Sequence, residues 1–294
     1  MNYRWASKSL LFILSFNLAE AKVTIFTHYF GQPEFIKYQH AFFKKNLLDD
    51  YELIVFDDSN DALVSKEIKN ECDKHNIKYI RVPRSVFEYP KLPIISSYVE
   101  PASPSFECSI SIQYIYDNYV SDSQNICLIM DNDIFLIAPF SVEKHLGQSS
   151  FSYIHQSRGT FQSNKIIDYM LPNFLILNPS KMPEKDTLNF NLGTIEGNNT
   201  DSGGFTYFYL KKYRDLGQKI FAVHSFYDDT SPLKQKFINV CPILFTMISW
   251  GTHYFINDET FLHLRMGSNW SRHHFYQDIL NEMSLLFDQL LKDN

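Results

Sequence analysis

The chain has 294 residues, with 27 Lys and Arg against 33 Asp and Glu, which gives a formal net charge of −6. Because 45% of the residues are hydrophobic and 20% are charged, the chain can form a sizeable core, and disorder along its whole length is excluded. The acidic balance argues against a general nucleic-acid binder, which would carry a basic face.

The cysteine spacing and the aromatic content narrow the class of protein further. The four cysteines have no C-x-x-C spacing, which argues against a disulfide scaffold or a structural zinc centre, and Cys127 lies in an apolar run typical of a core strand. Aromatic residues make up 16% of the chain. We expect most of them to pack in the core, while a few exposed rings could stack on sugars.

Residues 1–21 are similar in pattern to a secretory leader. Arg4 and Lys8 precede the apolar run 10–16, and residues 19–21 have the small-x-small form of a cleavage site. The run is far shorter than the ~20 residues that span a bilayer, so a transmembrane anchor is disfavoured. Two interpretations stay open: a cleaved signal peptide, or an N-terminal helix or leader packed beside the first strand.

The expected cellular compartment depends on whether that leader is a cleaved signal peptide. The glycosylation sequon at 269–271 falls in a segment that we assign below to phosphate binding, where a glycan would obstruct the ligand. This favours the cytoplasm, and a cleaved signal would instead mean the secretory pathway or the periplasm. Peripheral association with a membrane is compatible with either.

From Lys22 onward, strand and helix patterns alternate. Strands are predicted at 23–30, 51–56 and 77–82, and helices at 33–48 and 60–75. This alternation with short turns predicts parallel strands joined by right-handed crossovers. Ligands of such sheets bind beyond the carboxyl ends of the strands, which here carry His28, Asp57 and Asp58.

A proline-rich segment interrupts the pattern at 83–105, and a loop of this length is often a binding loop or lid. The remaining elements are a helix, predicted at 106–120, five further strands or apolar runs, at 125–130, 134–140, 150–155, 173–178 and 259–264, and a final helix at 272–292.

Asp131 and Asp133 stand between two apolar runs. Two residues that are two apart on an extended segment point to the same side. A paired negative charge at such a place is costly unless something positive meets it. A hard divalent cation, held by these carboxylates and by substrate phosphates, would balance this charge. The alternative is a solvated turn or a helix N-cap.

A second group of polar residues lies far downstream. His263 and Arg265 share one face of the predicted strand, and Gly267 permits a tight turn that brings backbone N–H groups near an anion. Histidine can complete a metal shell, and arginine can pair with phosphate. For His263 the alternative is an ordinary core or surface histidine.

These residues together carry a resemblance. The strand that ends in the Asp-Asp-Ser of 57–59, followed later by the Ile-Met-Asp-Asn-Asp-Ile-Phe of 129–135, resembles a GT-A glycosyltransferase, the fold that uses nucleotide sugars. The segment 263–270 is similar, more loosely, to the His-x-x-Gly-x-x-Lys-Pro-Trp element of glycosyltransferase family 8. The resemblance implies a single α/β domain over 22–294, with a Rossmann-like mixed sheet flanked by helices.

The resemblance also implies roles for particular residues. Asp131 and Asp133 would bind Mn²⁺ or Mg²⁺ and, through it, the donor diphosphate, and His263 would be the third protein ligand. His28 and either Asp57 or Asp58 would line the nucleoside pocket.

This chain departs from the family 8 element. The spacing from His263 to Gly267 is one residue longer, and no Lys-Pro precedes Trp270. The resemblance then implies that Arg265 would have to supply the cation that the lysine gives in the family. The departures leave open whether the configuration of the transferred sugar is retained or inverted.

The acceptor hydroxyl needs positioning and, for inversion, a base. The segment 199–204 combines Asp201 with two glycines that permit close approach of a ligand, so Asp201 is the candidate catalytic residue. The alternative is that Asp201 caps a helix beginning near Phe205. The two roles can coexist.

The expected function is metal-dependent transfer of a sugar from a nucleotide-diphosphate donor to a glycan, lipid-linked or protein acceptor, as in polysaccharide biosynthesis. A UDP-sugar donor is expected from the resemblance alone. Two rivals remain. A sugar nucleotidyltransferase would carry a glycine-rich basic loop after the first strand, where this chain has residues 28–33. A carbohydrate-binding protein without catalytic activity would bind glycans regardless of metal and nucleotide.

Overall fold

The computed structural model describes residues 23–88, 104–159, 165–220, 222–223, 237–243, 253–257, 259–264 and 275–293. The central sheet has seven strands, in the order β10-β6-β7-β4-β1-β2-β3. These strands are β1 (Val23–Tyr29), β2 (Tyr51–Asp57), β3 (Lys78–Arg81), β4 (Ile126–Asp131), β6 (Phe151–Arg158), β7 (Ile167–Leu177) and β10 (Gly217–Ile220).

The pairing directions make this sheet mixed. β1 pairs in parallel with β2 and β4, and β2 pairs in parallel with β3. β7 runs antiparallel to both β4 and β6, and β10 is parallel to β6. The predicted α/β fold with a Rossmann-like mixed sheet is therefore confirmed by the strand order and directions.

Helices cover both faces of the sheet. The helices are α1 (Glu34–Asn46), α2 (Ala62–His75), α3 (Pro104–Ile115), α4 (Val142–Leu146), α5 (Thr206–Tyr213) and α6 (Tyr276–Lys292). Alternate residues of β1 face opposite ways, so Ile25 belongs to the core cluster that includes residues of α1, α2 and α6, whereas Phe26 belongs to the cluster that includes residues of α3 and α5. Every residue of β1 is buried, as a strand covered on both faces requires.

A second sheet meets the first at the Asp-Asn-Asp segment. Its order is β11-β12-β13-β5, with β5 (Ile134–Leu136), β11 (Ala222–Val223), β12 (His253–Ile256) and β13 (Phe261–Leu264). Two further short strands, β8 (Thr194–Ile195) and β9 (Asn198–Asn199), form a hairpin of their own. The chain leaves the central sheet at the end of β4 and enters the second sheet at β5, with only residues 132 and 133 between them.

Several predicted bounds need correction. The helix expected at 106–120 begins at Pro104 and continues past Ile115 as one turn of π-helix, Tyr116–Val120. The strand expected at 173–178 begins earlier, at Ile167, and the apolar run 134–140 contributes only the three residues of β5 to a strand. Within the described residues no helix is long and apolar enough to cross a bilayer. The predicted leader and most of the proline-rich segment lie outside those residues.

Candidate metal and nucleotide site

The carboxyl ends of β1, β2 and β4 bring His28, Asp58 and Asp131 together. His28 lies directly opposite Asp131 in the β1–β4 register, and its Nε2 is 2.6 Å from Asp131 Oδ1. His28 Nδ1 is 3.8 Å from Asp58 Oδ2. The parallel order β2-β1-β4 therefore gathers two carboxylates around one imidazole, at the edge where α/β sheets bind their ligands.

The imidazole of His28 is held in its charged form by these neighbours. Burial by itself lowers its pKa, because it disfavours the imidazolium. The negative charge and hydrogen bond of Asp131, followed by those of Asp58, outweigh burial and raise the pKa to about 10. His28 thus supplies a fixed positive charge at neutral pH.

Asp133 and His263 meet where the two sheets join. β13 pairs with β5 so that His263 lies opposite Ile134, and the backbone N–H of Leu264 donates to the carbonyl of Asp133 at 2.9 Å. His263 Nε2 is then 3.1 Å from Asp133 Oδ1, and both side chains are buried. Asp133 sits in a turn, so the expectation that both aspartates share one extended segment is wrong, although their ligand atoms do converge.

Asp131, Asp133 and His263 form a group that could hold a metal ion, since one ligand atom from each lies within 4.8 Å of the others. Two carboxylates and one imidazole fit Mn²⁺, which accepts oxygen donors together with nitrogen. Mg²⁺ has a stronger preference for oxygen ligands alone, so the imidazole makes it the poorer fit of the two. The residues predicted as metal ligands are brought together.

Side chains that the sequence did not single out hold this turn in place. Gln39 of α1 donates through Nε2 to the carbonyls of Asp131 and Ile134, at 3.0 and 2.8 Å, and its Oε1 accepts from the Tyr29 hydroxyl at 2.6 Å. The side-chain amide of Asn132 donates to the carbonyl of Gly31 at 3.0 Å. These bonds fix the backbone that carries the two aspartates, as supporting groups around a metal site do.

Asp57 and Asp58 have different surroundings despite their adjacency. The carboxylate of Asp57 is fully buried and accepts from the side chains of Ser59, Ser65, Tyr79 and Arg81. These hydrogen bonds give the Asp57 carboxylate a structural role inside the fold. Of the two aspartates that we predicted for the nucleoside pocket, Asp58 is therefore the one that reaches His28.

Asp201 lies on the loop before α5. It does not cap that helix, which begins at Thr206 without a side-chain cap, so the capping interpretation is wrong. Its carboxylate lies 3.5 Å from Arg158 Nη2, and the loop is tied to the start of α3 by a 2.7 Å bond from Ser202 Oγ to the carbonyl of Ser105.

Cys108 is the site residue that sequence reasoning missed. Burial raises the pKa of its thiol, and the nearby charges of Asp131, Asp58 and Asp201 raise it further, whereas a hydrogen bond with Ser202 lowers it. The thiol therefore lies between the metal group and the loop of Asp201. Nothing in the sequence around Cys108 marks it, because its position depends on which face of α3 is turned towards β1. Arg265, Gly267 and Trp270, predicted for the phosphate segment, lie outside the described residues.

Comparisons with known proteins add similarity of fold. No protein-family model matches the chain, and no curated protein matches it in sequence. Among solved structures, the bifunctional glycosyltransferase WbbM in its apo form is 10% identical with a TM-score of 0.45, covering 91% of this chain and 50% of its own. The glycosyltransferase GlyE of Streptococcus pneumoniae TIGR4 is 10% identical with a TM-score of 0.37, covering 92% of this chain and 62% of its own.

A third similar structure is glucosyl-3-phosphoglycerate synthase from Mycobacterium tuberculosis, solved with Mn²⁺, uridine diphosphate and phosphoglyceric acid. It is 11% identical with a TM-score of 0.36, covering 68% of this chain and 69% of its own. This chain thus spans about half of WbbM and about six tenths of GlyE. All three TM-scores are below 0.5, so the fold assignment depends on the strand order described above.

Proposed function

We propose that this protein is a metal-dependent glycosyltransferase that moves a sugar from a nucleotide-diphosphate donor to a carbohydrate, lipid-linked or protein acceptor. The observation that supports this most is the convergence of Asp131, Asp133 and His263 beside the charged His28, at the ligand-binding edge of the sheet. A UDP-sugar is the donor that the resemblance favours, and the catalytic domain is taken to be 22–294. We place the activity in the cytoplasm, in polysaccharide biosynthesis.

The three proposed ligands would hold Mn²⁺, which when bound supplies a Lewis acid that stabilises charge on a leaving diphosphate. The protein itself holds the proposed ligand residues in position. Gln39 and the β5–β13 pairing fix the two carboxylates before any ligand arrives, so little reorganisation is needed on binding.

The remaining residues act around the donor. His28 and Asp58 lie on the β1–β2 side of Asp131, where they would contact the nucleoside. Arg265 and Gly267 are proposed to bind the diphosphate from the segment after β13. Asp201 is proposed to accept the proton of the acceptor hydroxyl, because its carboxylate lies on the loop tied to α3 beside Cys108.

The test is nucleotide binding by an Asp133→Asn variant. Asparagine keeps the side-chain volume but removes the charge that a cation needs. With Mn²⁺ and a panel of nucleoside diphosphates, a nucleotide at ~100 times its Kd should stabilise the wild type by about 2.7 kcal/mol, which moves Tm by several degrees. Asp133→Asn should abolish this shift while keeping the Tm of the ligand-free protein within a few degrees.

Asp122→Asn is the matched control. The Asp122 side chain is 95% exposed and forms a surface ion pair with Lys185 at 3.2 Å, which contributes little, so its loss should leave the nucleotide shift intact. A wild type that no nucleoside diphosphate stabilises, with or without Mn²⁺, would refute the proposed function. Glycan binding without either would point to a binding protein instead.

A further inference from the structure

A second set of potential ligands lies beside the proposed metal group. The Sγ of Cys108, one imidazole nitrogen of His28 and one carboxylate oxygen of Asp131 all lie within 4.8 Å of one another. Cys108 is only partly buried, whereas Cys72, Cys127 and Cys241 are buried in the core. Among the four cysteines, Cys108 is therefore the one that has two neighbouring ligands of other types.

The fold builds this cluster from two directions. His28 and Asp131 face each other across β1 and β4, as their register requires. Cys108 comes from α3, where Ser111 lies three residues further along the same face. The hydroxyl of Ser111 donates to Asp58 Oδ2 at 2.5 Å, which holds that face of the helix over the carboxyl ends of the strands.

A thiolate, an imidazole and a carboxylate form a donor set that differs in kind from the first group. Zn²⁺ accepts all three and is commonly bound by three protein ligands with a fourth position open. Mg²⁺ and Mn²⁺ favour oxygen donors and gain little from sulfur. We propose that Cys108, His28 and Asp131 form a site for Zn²⁺, with its fourth position open to solvent. This inference does not rest on the proposed function, although Asp131 is common to both groups.

The separation of His28 and Asp131 that binding requires is small. In a tetrahedral zinc site, nitrogen and oxygen ligands at their usual distances stand about 3.3 Å apart. His28 Nε2 and Asp131 Oδ1 are now 2.6 Å apart in a hydrogen bond, so they must separate by less than about 1 Å. As the Zn–S bond forms, the thiol proton leaves to solvent, and the proton between His28 and Asp131 is exchanged for the metal.

The experiment measures Zn²⁺ binding to the full chain by competition with a chromogenic chelator, in the wild type, Cys108→Ser and Cys108→Ala. We expect the wild type to bind Zn²⁺ and both variants to lose more than about 10-fold in affinity, since even an outer-shell partner of a metal is worth that much. Co²⁺ used in place of Zn²⁺ should give a thiolate-to-metal charge-transfer band in the wild type that neither variant shows. Thermal unfolding of the metal-free proteins establishes that the variants are folded.

Asp133→Asn separates this site from the first one. Because Asp133 belongs only to the other group, this variant should keep its Zn²⁺ affinity and the Co²⁺ charge-transfer band. Zn²⁺ affinity unchanged by both Cys108 variants, or lost in Asp133→Asn, would overturn the proposal. Mn²⁺ binding, followed separately by electron paramagnetic resonance, tests the proposed function. Failure of Mn²⁺ binding alone would refute that function and leave the Zn²⁺ site standing.

Discussion

Asp57→Ala should destabilise the folded chain strongly, because the Asp57 carboxylate is an internal hydrogen-bonding centre. Its side chain is 0% exposed. It accepts from Ser59 Oγ at 2.7 Å, Ser65 Oγ at 2.5 Å, Tyr79 OH at 2.7 Å and Arg81 Nη1 at 2.5 Å. The backbone N–H of Ser59 donates to it as well, at 3.0 Å, so alanine leaves five donors facing an empty space at the end of β2.

The size of the loss in stability follows from what happens to the arginine and to the hydroxyl groups. Removing one partner of a buried ion pair costs about 3–5 kcal/mol. The Arg81 side chain is 32% exposed and can be rehydrated, and Ser65 Oγ already lies 3.2 Å from Tyr79 OH, so these two can bond each other. Both facts favour the lower end, about 3 kcal/mol. At roughly 2–4 °C per kcal/mol for a large domain, the expected fall in Tm is roughly 6–12 °C.

Differential scanning calorimetry checks this value, and Asp58→Asn is the matched control. Asp58 stands next in sequence, but its contacts are with Ser111 and His28 at the site. We therefore expect Asp58→Asn to lower Tm less than Asp57→Ala does and to weaken nucleotide binding more. A fall of less than about 2 °C in Asp57→Ala would mean that water replaces the lost carboxylate cheaply, and the reasoning would be wrong.

Two further perturbations test the site's supports. His28 has its pKa raised to about 10 from an ordinary 6.5, so the stability from its contacts with Asp131 and Asp58 should be complete below pH 6.5 and lost as the pH rises towards 10, at up to about 1.4 kcal/mol per pH unit. Urea unfolding of the wild type and His28→Gln between pH 6 and 10 measures this, and parallel pH profiles would contradict it. Gly203 has φ +83° and an added Cβ would lie 2.2 Å from the carbonyl oxygen of Met170, so Gly203→Ala should cost about 1–3 kcal/mol and displace the loop of Asp201. Calorimetry gives the cost, and an unchanged Tm would show that the loop adapts freely.

The parallel part of the sheet, β1 to β4, could be predicted because its signals are local, whereas β10 has no counterpart among the predicted strands and a mixed sheet was implied only by the resemblance. Buried strands between amphipathic helices read as apolar runs alternating with 3.6-residue patterns, and short turns between them leave only parallel pairing. For the same reason His28, Asp58 and Asp131 were predictable at one edge, since each follows or ends a strand that the pattern identifies. The register of β1 with β4 then puts His28 against Asp131.

The rest of the site depends on contacts between distant segments. Asp133 reaches the metal group through a turn, and His263 reaches it because β13 pairs with β5 in a second sheet. Neither the turn nor this pairing has a sequence pattern that distinguishes it from an ordinary loop and strand. The position of Cys108 depends on the rotation of α3 about its own axis, and the 2.5 Å hydrogen bond from Ser111 to Asp58 helps to fix that rotation. Helix rotations and pairings between distant strands are set by packing, so a local sequence pattern does not predict them.

The charges gathered at this edge explain why a dication and a diphosphate belong together in the proposed function. Asp58, Asp131 and Asp133 carry three negative charges, and His28, with its pKa raised to about 10, returns one positive charge. A histidine that binds a metal is neutral, so His263 adds none when it acts as a ligand. In the metal-free protein these charges sum to about −2, which would repel a diphosphate, and a dication such as Mn²⁺ would offset them. Under the proposed function, electrostatics of this kind would make the nucleotide's affinity depend on the metal, which is the dependence that the Asp133→Asn experiment measures.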